Sequence, residues 1–178
     1  MLKIVAARPD AVFAGNSGTP GALPYIALAE RGYKGKIYGT HGLINADFVR
    51  VGGVSVEGLQ VPSGPVLVAD QLPDSNPIKK VSMGFRNAYQ KVNGAVPTDA
   101  FSSYTYDAYL LLADAASRAK GEPGTPQYRT ALRDAIVSTK ELVGTHGIYT
   151  FKPGDSYGSD RRGVVIVQMN KGQWKLVP

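Results

Sequence analysis

The sequence predicts an α/β fold built on a parallel sheet, and three observations predict it. A short apolar run, Ala11-Val12-Phe13-Ala14, breaks at Gly15 into a polar loop and then enters an apolar stretch from Pro20 to Ala29. The pattern recurs at once: Lys36-Ile37-Tyr38-Gly39, the loop Thr40-His41-Gly42, then a helix opened by Asn45. The 178 residues are 43% hydrophobic and 19% charged, a globular composition in a chain long enough to bury a core. Successive strand–loop–helix units argue for parallel strands. Parallel strands have their carboxyl ends together, so Asn16–Thr19 and Thr40–Gly42 are expected to be neighbours in space. Ligands of open α/β sheets collect at that edge.

Taken in order, Leu2–Ala7 reads as the tail of a helix, ended by Arg8-Pro9 because the residue before proline avoids helical geometry. A strand at 11–15 follows, then a helix over about 20–31 stopped by Gly32, a C-terminal cap. A second strand lies at 36–39. Asn45 caps a helix through about Val51, which Gly52-Gly53 ends. Val54 to Val61 alternates loosely and predicts a third strand. Residues 62–77 hold Pro62, Pro65, Pro73 and Pro77 around the apolar run Val66-Leu67-Val68-Ala69. That segment is too proline-rich for a helix and too apolar for a flexible linker, and it reads as an extended crossover between two lobes.

Asn76-Pro77 then sets a cap before a proline at the first helical position. Apolar residues at helical spacing carry this helix over about 77–92, and Gly94 ends it. Thr98 or Asp99 opens a long helix through Ala119, and Gln127–Ser138 forms another. Ile148–Phe151 reads as a strand. Gly163–Met169 and Trp174–Val177 read as a hairpin turning through Asn170-Lys171-Gly172. No repeat or low-complexity segment interrupts the chain.

Several function classes find no support. The net charge of +6, from 20 Lys and Arg against 14 Asp and Glu, is scattered rather than clustered. No basic and aromatic stripe suggests nucleic acid. There is no cysteine, which excludes disulfides and thiolate–metal sites. Two histidines, His41 and His146, do not make a metal site by spacing, and a calcium site at the Asp155 and Asp160 turn lacks the EF-hand pattern. The loop Gly15-Asn16-Ser17-Gly18-Thr19 lacks the Gly-Lys-Ser/Thr ending of a phosphate loop, and Ser17 is not in a Gly-x-Ser-x-Gly elbow. No apolar run is long enough to cross a bilayer, and Met1–Ala7 shows no signal-peptide pattern. No cofactor is expected.

Five stretches in order carry a family resemblance: Pro9-Asp10-Ala11-Val12-Phe13, Gly32-Tyr33-Lys34-Gly35-Lys36-Ile37-Tyr38-Gly39, Gln71-Leu72-Pro73, Tyr104-Thr105-Tyr106-Asp107-Ala108 and Gly172-Gln173-Trp174-Lys175-Leu176-Val177. Together the chain resembles the leucine/isoleucine/valine-type periplasmic binding proteins, the type I solute-binding proteins of ABC importers. The resemblance covers the carboxyl-terminal half of that family, whose members are about twice this length. It implies a type I periplasmic-binding-protein-like fold of parallel-sheet sandwiches, incomplete, with parts of two lobes. Residues 1–64 would belong to the second lobe, 65–152 to the first lobe after a hinge crossover, and 153–178 to the return and terminal hairpin.

By position, the resemblance places ligand contacts at Asn16, Ser17, Gly18 and Thr19, at His41, and at Phe101 and Tyr104. Core packing is the competing reading of Phe101 and Tyr104. His41 stands where amino-acid binders carry a glutamate that holds the ligand's ammonium. Histidine is a poor partner for ammonium, which favours an aromatic or organic acid over a branched-chain amino acid. Asp160-Arg161-Arg162-Gly163 resembles a family Asp-His-x-Gly signature with the histidine replaced, and it is assigned to structure. The implied partners are a small solute and, for the full-length protein, a membrane permease. The expected location of that protein is periplasmic or extracellular and lipid-anchored. Half a cleft implies weak binding by this chain alone, and uncovered sheet edges imply a homodimer. A regulator's or receptor's ligand-sensing domain of the same fold stays open as the alternative, as does a hydrolase using Ser17 and His41.

Overall fold

The sheet that organises the amino-terminal third grows directly from the strand pattern. The computed structural model describes residues 2–178. The chain divides into two compact units. The first holds the chain up to Ser63 with Thr98–Ala100 and Val165–Pro178, and the second holds Gly64–Pro97 and Phe101–Val164.

In the first unit, helix α1 (Leu2–Ala6) precedes strand β1 (Ala11–Ala14). A short 3-10 turn at Thr19–Ala22 runs into α2 (Leu23–Glu30), and Gly32 takes the left-handed conformation after its end at φ 72°. Strand β2 (Lys36–Gly39) is followed by a 3-10 turn at His41–Leu43 and by α3 (Ala46–Gly52). Asn45 caps α3 as expected, its side chain accepting from the Phe48 amide at 2.8 Å. Strand β3 is Gln60–Ser63, and the hairpin β6 (Val165–Asn170) and β7 (Gln173–Leu176) completes a five-stranded sheet in the order β1-β2-β3-β6-β7. β1 and β3 each run parallel to β2; the remaining pairs are antiparallel. The β6–β7 turn has positive φ at both Lys171 and Gly172, and the Glu57 carboxylate accepts from both amides at 2.8 Å.

The register sorts side chains cleanly by face. Val12, Val61, Val167 and Met169 are buried on the inner face. There a Cβ on Gly39 would stand 2.6 Å from the Tyr25 hydroxyl oxygen and 2.5 Å from a Leu43 methyl. The outer face carries Phe13, 66% exposed, and Ile166, 42% exposed.

The second unit is helical. A 3-10 segment at Pro65–Gln71 precedes α4 (Pro77–Asn93), α5 (Ser102–Arg118) and α6 (Pro126–Val137). β4 (Leu142–Val143) and β5 (Ile148–Tyr149) pair antiparallel, and a 3-10 turn lies at Arg161–Gly163. Val66, Val68, Ile78, Phe85 and Ile148 form its core. Asn76 caps α4 through the Ile78 amide at 2.9 Å, and Gly94 closes it in the left-handed region at φ 78°.

Four sequence expectations need correction. The predicted strand from Val54 to Val61 is a 3-10 turn at Gly53–Val56 followed by β3, because Gly58 adopts φ 81° and breaks the extended run. The expected extended crossover at 62–77 coils at Pro65–Gln71, since Pro65 sits at the first helical positions where a missing N–H costs nothing. α5 starts at Ser102 rather than at Thr98 or Asp99, with no side-chain cap. The strand expected over Ile148–Phe151 shortens to Ile148–Tyr149, and it pairs with Leu142–Val143, a two-residue strand too short to show a period in sequence.

Candidate functional site

The polar connections after β1 and β2 lie against each other within the first unit. The Thr40 hydroxyl donates to the Asn16 carbonyl, and the Gly18 amide donates to the Gly42 carbonyl at 2.8 Å. Two glycines make this approach feasible. Gly18 holds φ 66°, which side chains with a Cβ rarely adopt. A Cβ on Gly42 would sit 2.6 Å from the Ser17 Cβ. Asn16, Gly18, Thr19 and His41 are half-buried and Ser17 is exposed. The parallel register thus brings the two loops together, as the strand order requires.

Burial holds the His41 imidazole below its ordinary pKa of 6.5, and a hydrogen bond to the Pro62 backbone offsets part of that effect. The neutral ring is therefore the form the fold selects. Below 6.5 the unfolded chain binds protons that the folded chain resists, so stability rises with pH through this window. The contribution is complete above 6.5 and is lost as pH falls through the folded midpoint. An NMR titration is expected to give His41 a midpoint below 6.5, with His41→Gln removing that part of the pH dependence. A midpoint at or above 6.5 would contradict the burial argument.

In the second unit, Phe101 and Tyr104 open the first turn of α5, 40% and 45% exposed, with ring centroids 6.2 Å apart. Tyr104 stacks flat on His146, centroids 3.8 Å apart and planes within 6°. Its hydroxyl titrates above its ordinary value, first through burial and then through the charges of Tyr157 and Asp107.

Behind this stack lies a polar cluster that sequence reasoning misses. Ser103 and Asp107 are four residues apart, so they share one face of α5, and both are buried. Ser103 Oγ lies 2.7 Å from His146 Nε2. The Asp107 carboxylate accepts from the Thr145 amide at 2.7 Å, the Thr145 hydroxyl at 2.8 Å, the His146 amide at 2.9 Å and the Tyr149 hydroxyl at 2.7 Å. Burial first, then the hydrogen bond to Asp107, raises the Tyr149 hydroxyl far above its ordinary range. The available signal is the run Gly144-Thr145-His146-Gly147, whose glycines bracket two polar residues that need a partner. A Cβ on Gly144 would press on the Asp107 carboxylate at 2.6 Å.

Asp160 and Arg162, in the segment assigned to structure, behave accordingly. Asp160 accepts from the Arg162 amide at 2.9 Å, and the Arg162 guanidinium bridges Asp160 and Glu141, each at 2.8 Å. Among the described residues, no group of three or more His, Asp or Glu side chains is placed to hold a metal ion, and no helix is long and apolar enough to cross a membrane.

Comparison with known proteins agrees with this architecture. The periplasmic binding protein family matches over residues 1–173. No curated protein matches the chain. Among solved structures, a protein from Rhodopseudomonas palustris strain CGA009 is 39% identical with a TM-score of 0.91, the match covering 99% of this chain and 50% of that one. An extracellular ligand-binding receptor from R. palustris HaA2 is 38% identical with a TM-score of 0.89, covering 99% and 50%. A leucine binding protein from Thermotoga maritima is 25% identical with a TM-score of 0.74, covering 99% and 46%. The chain spans about half the length of the solved structures it matches. With a sheet of type I topology and a family match over almost its full extent, this chain belongs to the periplasmic binding protein family.

Proposed function

We propose that this chain supplies ligand contacts to a substrate-binding protein of an ABC importer, which captures a small solute outside the cytoplasmic membrane and presents it to a permease. The observation that carries the reading is the pair of joined loops at the tips of β1 and β2, which bring Ser17, Thr19 and His41 to the edge where α/β sheets hold ligands. Asn16, Ser17, Gly18, Thr19 and His41 are the contacts from the first unit. In the second unit, taken by itself, Phe101 and Tyr104 are the proposed contacts, with His146 backing the Tyr104 ring.

The solute is an amino acid or an aromatic or organic acid, and the His41 environment favours the acids. A neutral imidazole hydrogen-bonds a carboxylate, hydroxyl or carbonyl, whereas it offers an ammonium group no charge. The partly exposed Phe101 and Tyr104 rings suit an apolar or aromatic ligand body. Capture needs no chemistry: affinity comes from hydrogen bonds to the polar head and from burial of the body, and a permease reads the liganded state.

The test is an NMR titration of this chain with benzoate, 4-hydroxybenzoate and leucine. Either acid is expected to shift the amides of Asn16, Ser17, Gly18, Thr19 and His41 in fast exchange, at millimolar concentration, and more strongly than leucine does. Ser17→Ala and His41→Ala are expected to weaken that response. If none of the three compounds moves these amides, the proposed site is wrong. Micromolar affinity in the isolated chain would overturn the view that it holds only part of the contacts.

A further inference from the structure

A gap in the first unit's sheet opens a cavity at the end opposite the joined loops. Lys36 and Ile37 begin β2, and both pair with β1 through Ala11 and Val12. On its other side β2 meets β3 only at Tyr38, opposite Gln60. The chain that would extend β3 backward turns at Gly58, φ 81°, and coils at Gly53–Val56. The neighbour missing beside Lys36 and Ile37 leaves a cavity of about 440 Å³, within the size range of small-molecule sites. Two hydrogen bonds fix its walls. Gln168 donates to the Gly58 carbonyl at 3.2 Å, and Tyr33 donates its hydroxyl to the Pro9 carbonyl at 3.1 Å.

The lining has two chemistries. Leu28 and Ile37 form an apolar side, and Val54, 89% exposed, extends it. Lys34 and Lys36 supply positive charge, and neither ammonium has an ion-pair or hydrogen-bond partner among the described residues. The one carboxylate of the lining, Glu57, accepts from the Lys171 and Gly172 amides, one on each oxygen, so it is committed to the β6–β7 turn. We propose that this cavity binds a small amphipathic anion, a carboxylate or a phosphate ester with a short apolar body. Lys34 and Lys36 hold the charged head, and Leu28, Ile37 and Val54 cover the body. Lysine is a point charge without a bidentate fork, so the site selects charge before head-group shape. Exposed charges alone contribute little in water, and the apolar body supplies the rest of the affinity. A ligand there fills the gap in the sheet and braces the 53–58 segment against β2. The site is separate from the proposed solute contacts of this unit, which lie at the other end of β1 and β2.

The experiment is an NMR titration of the 178-residue chain with hexanoate, hexyl phosphate, hexylamine and acetate. Both hexyl anions are expected to shift the amides of 34–37 and 54–58 at millimolar concentration, and added salt to weaken the response. Hexylamine and acetate, each lacking half of the required chemistry, are expected to move these amides far less. Replacing both lysines, Lys34→Gln with Lys36→Gln, is expected to weaken hexanoate by about tenfold, while the double arginine variant retains it. Val54→Asp, which places a like charge on the exposed apolar rim, is expected to weaken it also, with the circular dichroism spectrum unchanged. Silence at 34–37 and 54–58 with both anions, an equal response to hexylamine, or affinity indifferent to the lysine and Val54 substitutions would overturn the proposal. So would a response at these amides that Ser17→Ala or His41→Ala abolishes, since it would then be relayed from the other end of the sheet. The amides read here differ from those at 16–19 and 41, so failure of either site leaves the other standing.

Discussion

Replacing Asp107 with alanine is expected to destabilise the second unit by on the order of 4 kcal/mol, because several buried donors lose their acceptor at once. The carboxylate is 2% exposed and takes two hydrogen bonds on each oxygen, from Thr145 to one and from the His146 amide and the Tyr149 hydroxyl to the other. Asp107→Asn keeps one acceptor oxygen and turns an NH₂ group toward two donors, so roughly half the loss is expected. Urea denaturation measures both effects, and hydrogen exchange at residues 143–149 locates them. The functional consequence follows from the stack: with the His146 backbone released, the ring that supports Tyr104 loses its fixed position. A loss below about 1 kcal/mol for Asp107→Ala would mean the cluster is solvated, and the positioning argument would fail.

Phe48→Ala is expected to cost the first unit about 3–5 kcal/mol, the range for deleting a fully buried aromatic side chain. Phe48 has no exposed surface and meets Tyr25 edge-on, with ring centroids 6.2 Å apart. Tyr25 in turn donates its hydroxyl to the Tyr38 carbonyl at 3.0 Å, one residue before the end of β2, and burial pushes that hydroxyl up to about 12. A cavity at Phe48 therefore loosens the support under the strand tips as well as the core. Denaturation of Phe48→Ala followed through backbone amides should show the loops at 16–19 and 40–42 losing protection along with α3. Loss confined to α3 would show that the strand tips are held independently of this aromatic pair.

Much of the first unit is legible in sequence because local rules and tertiary structure agree there. Strand β1 ends where Gly15 ends the apolar run, Asn45 and Asn76 cap the helices they are expected to cap, and Lys171-Gly172 turns the last hairpin. The proximity of Asn16–Thr19 to Thr40–Gly42 is also legible, since parallel strands leave their trailing loops on one edge. Where sequence and structure part, two local signals conflict. Val54–Val61 has the composition of a strand, but Gly58 reverses the chain within it. Prolines at 62–77 suggest extension, but Pro65 stands where a helical turn accepts it.

By itself the sequence determined the order of the strands and helices up to α3, the parallel pairing of the first strands and the family, because each rests on short-range patterns in the chain. Only the tertiary structure decided that Asp107 gathers Thr145, His146 and Tyr149, and that Phe13 and Ile166 share a bare face. Asp107 lies 38 or more positions from each of its donors, and Phe13 shares a face with Ile166 only through strand register, which no local periodicity encodes. A buried carboxylate looks like any other aspartate until its donors arrive from elsewhere in the chain, and an uncovered face is visible only after the covered one has been built.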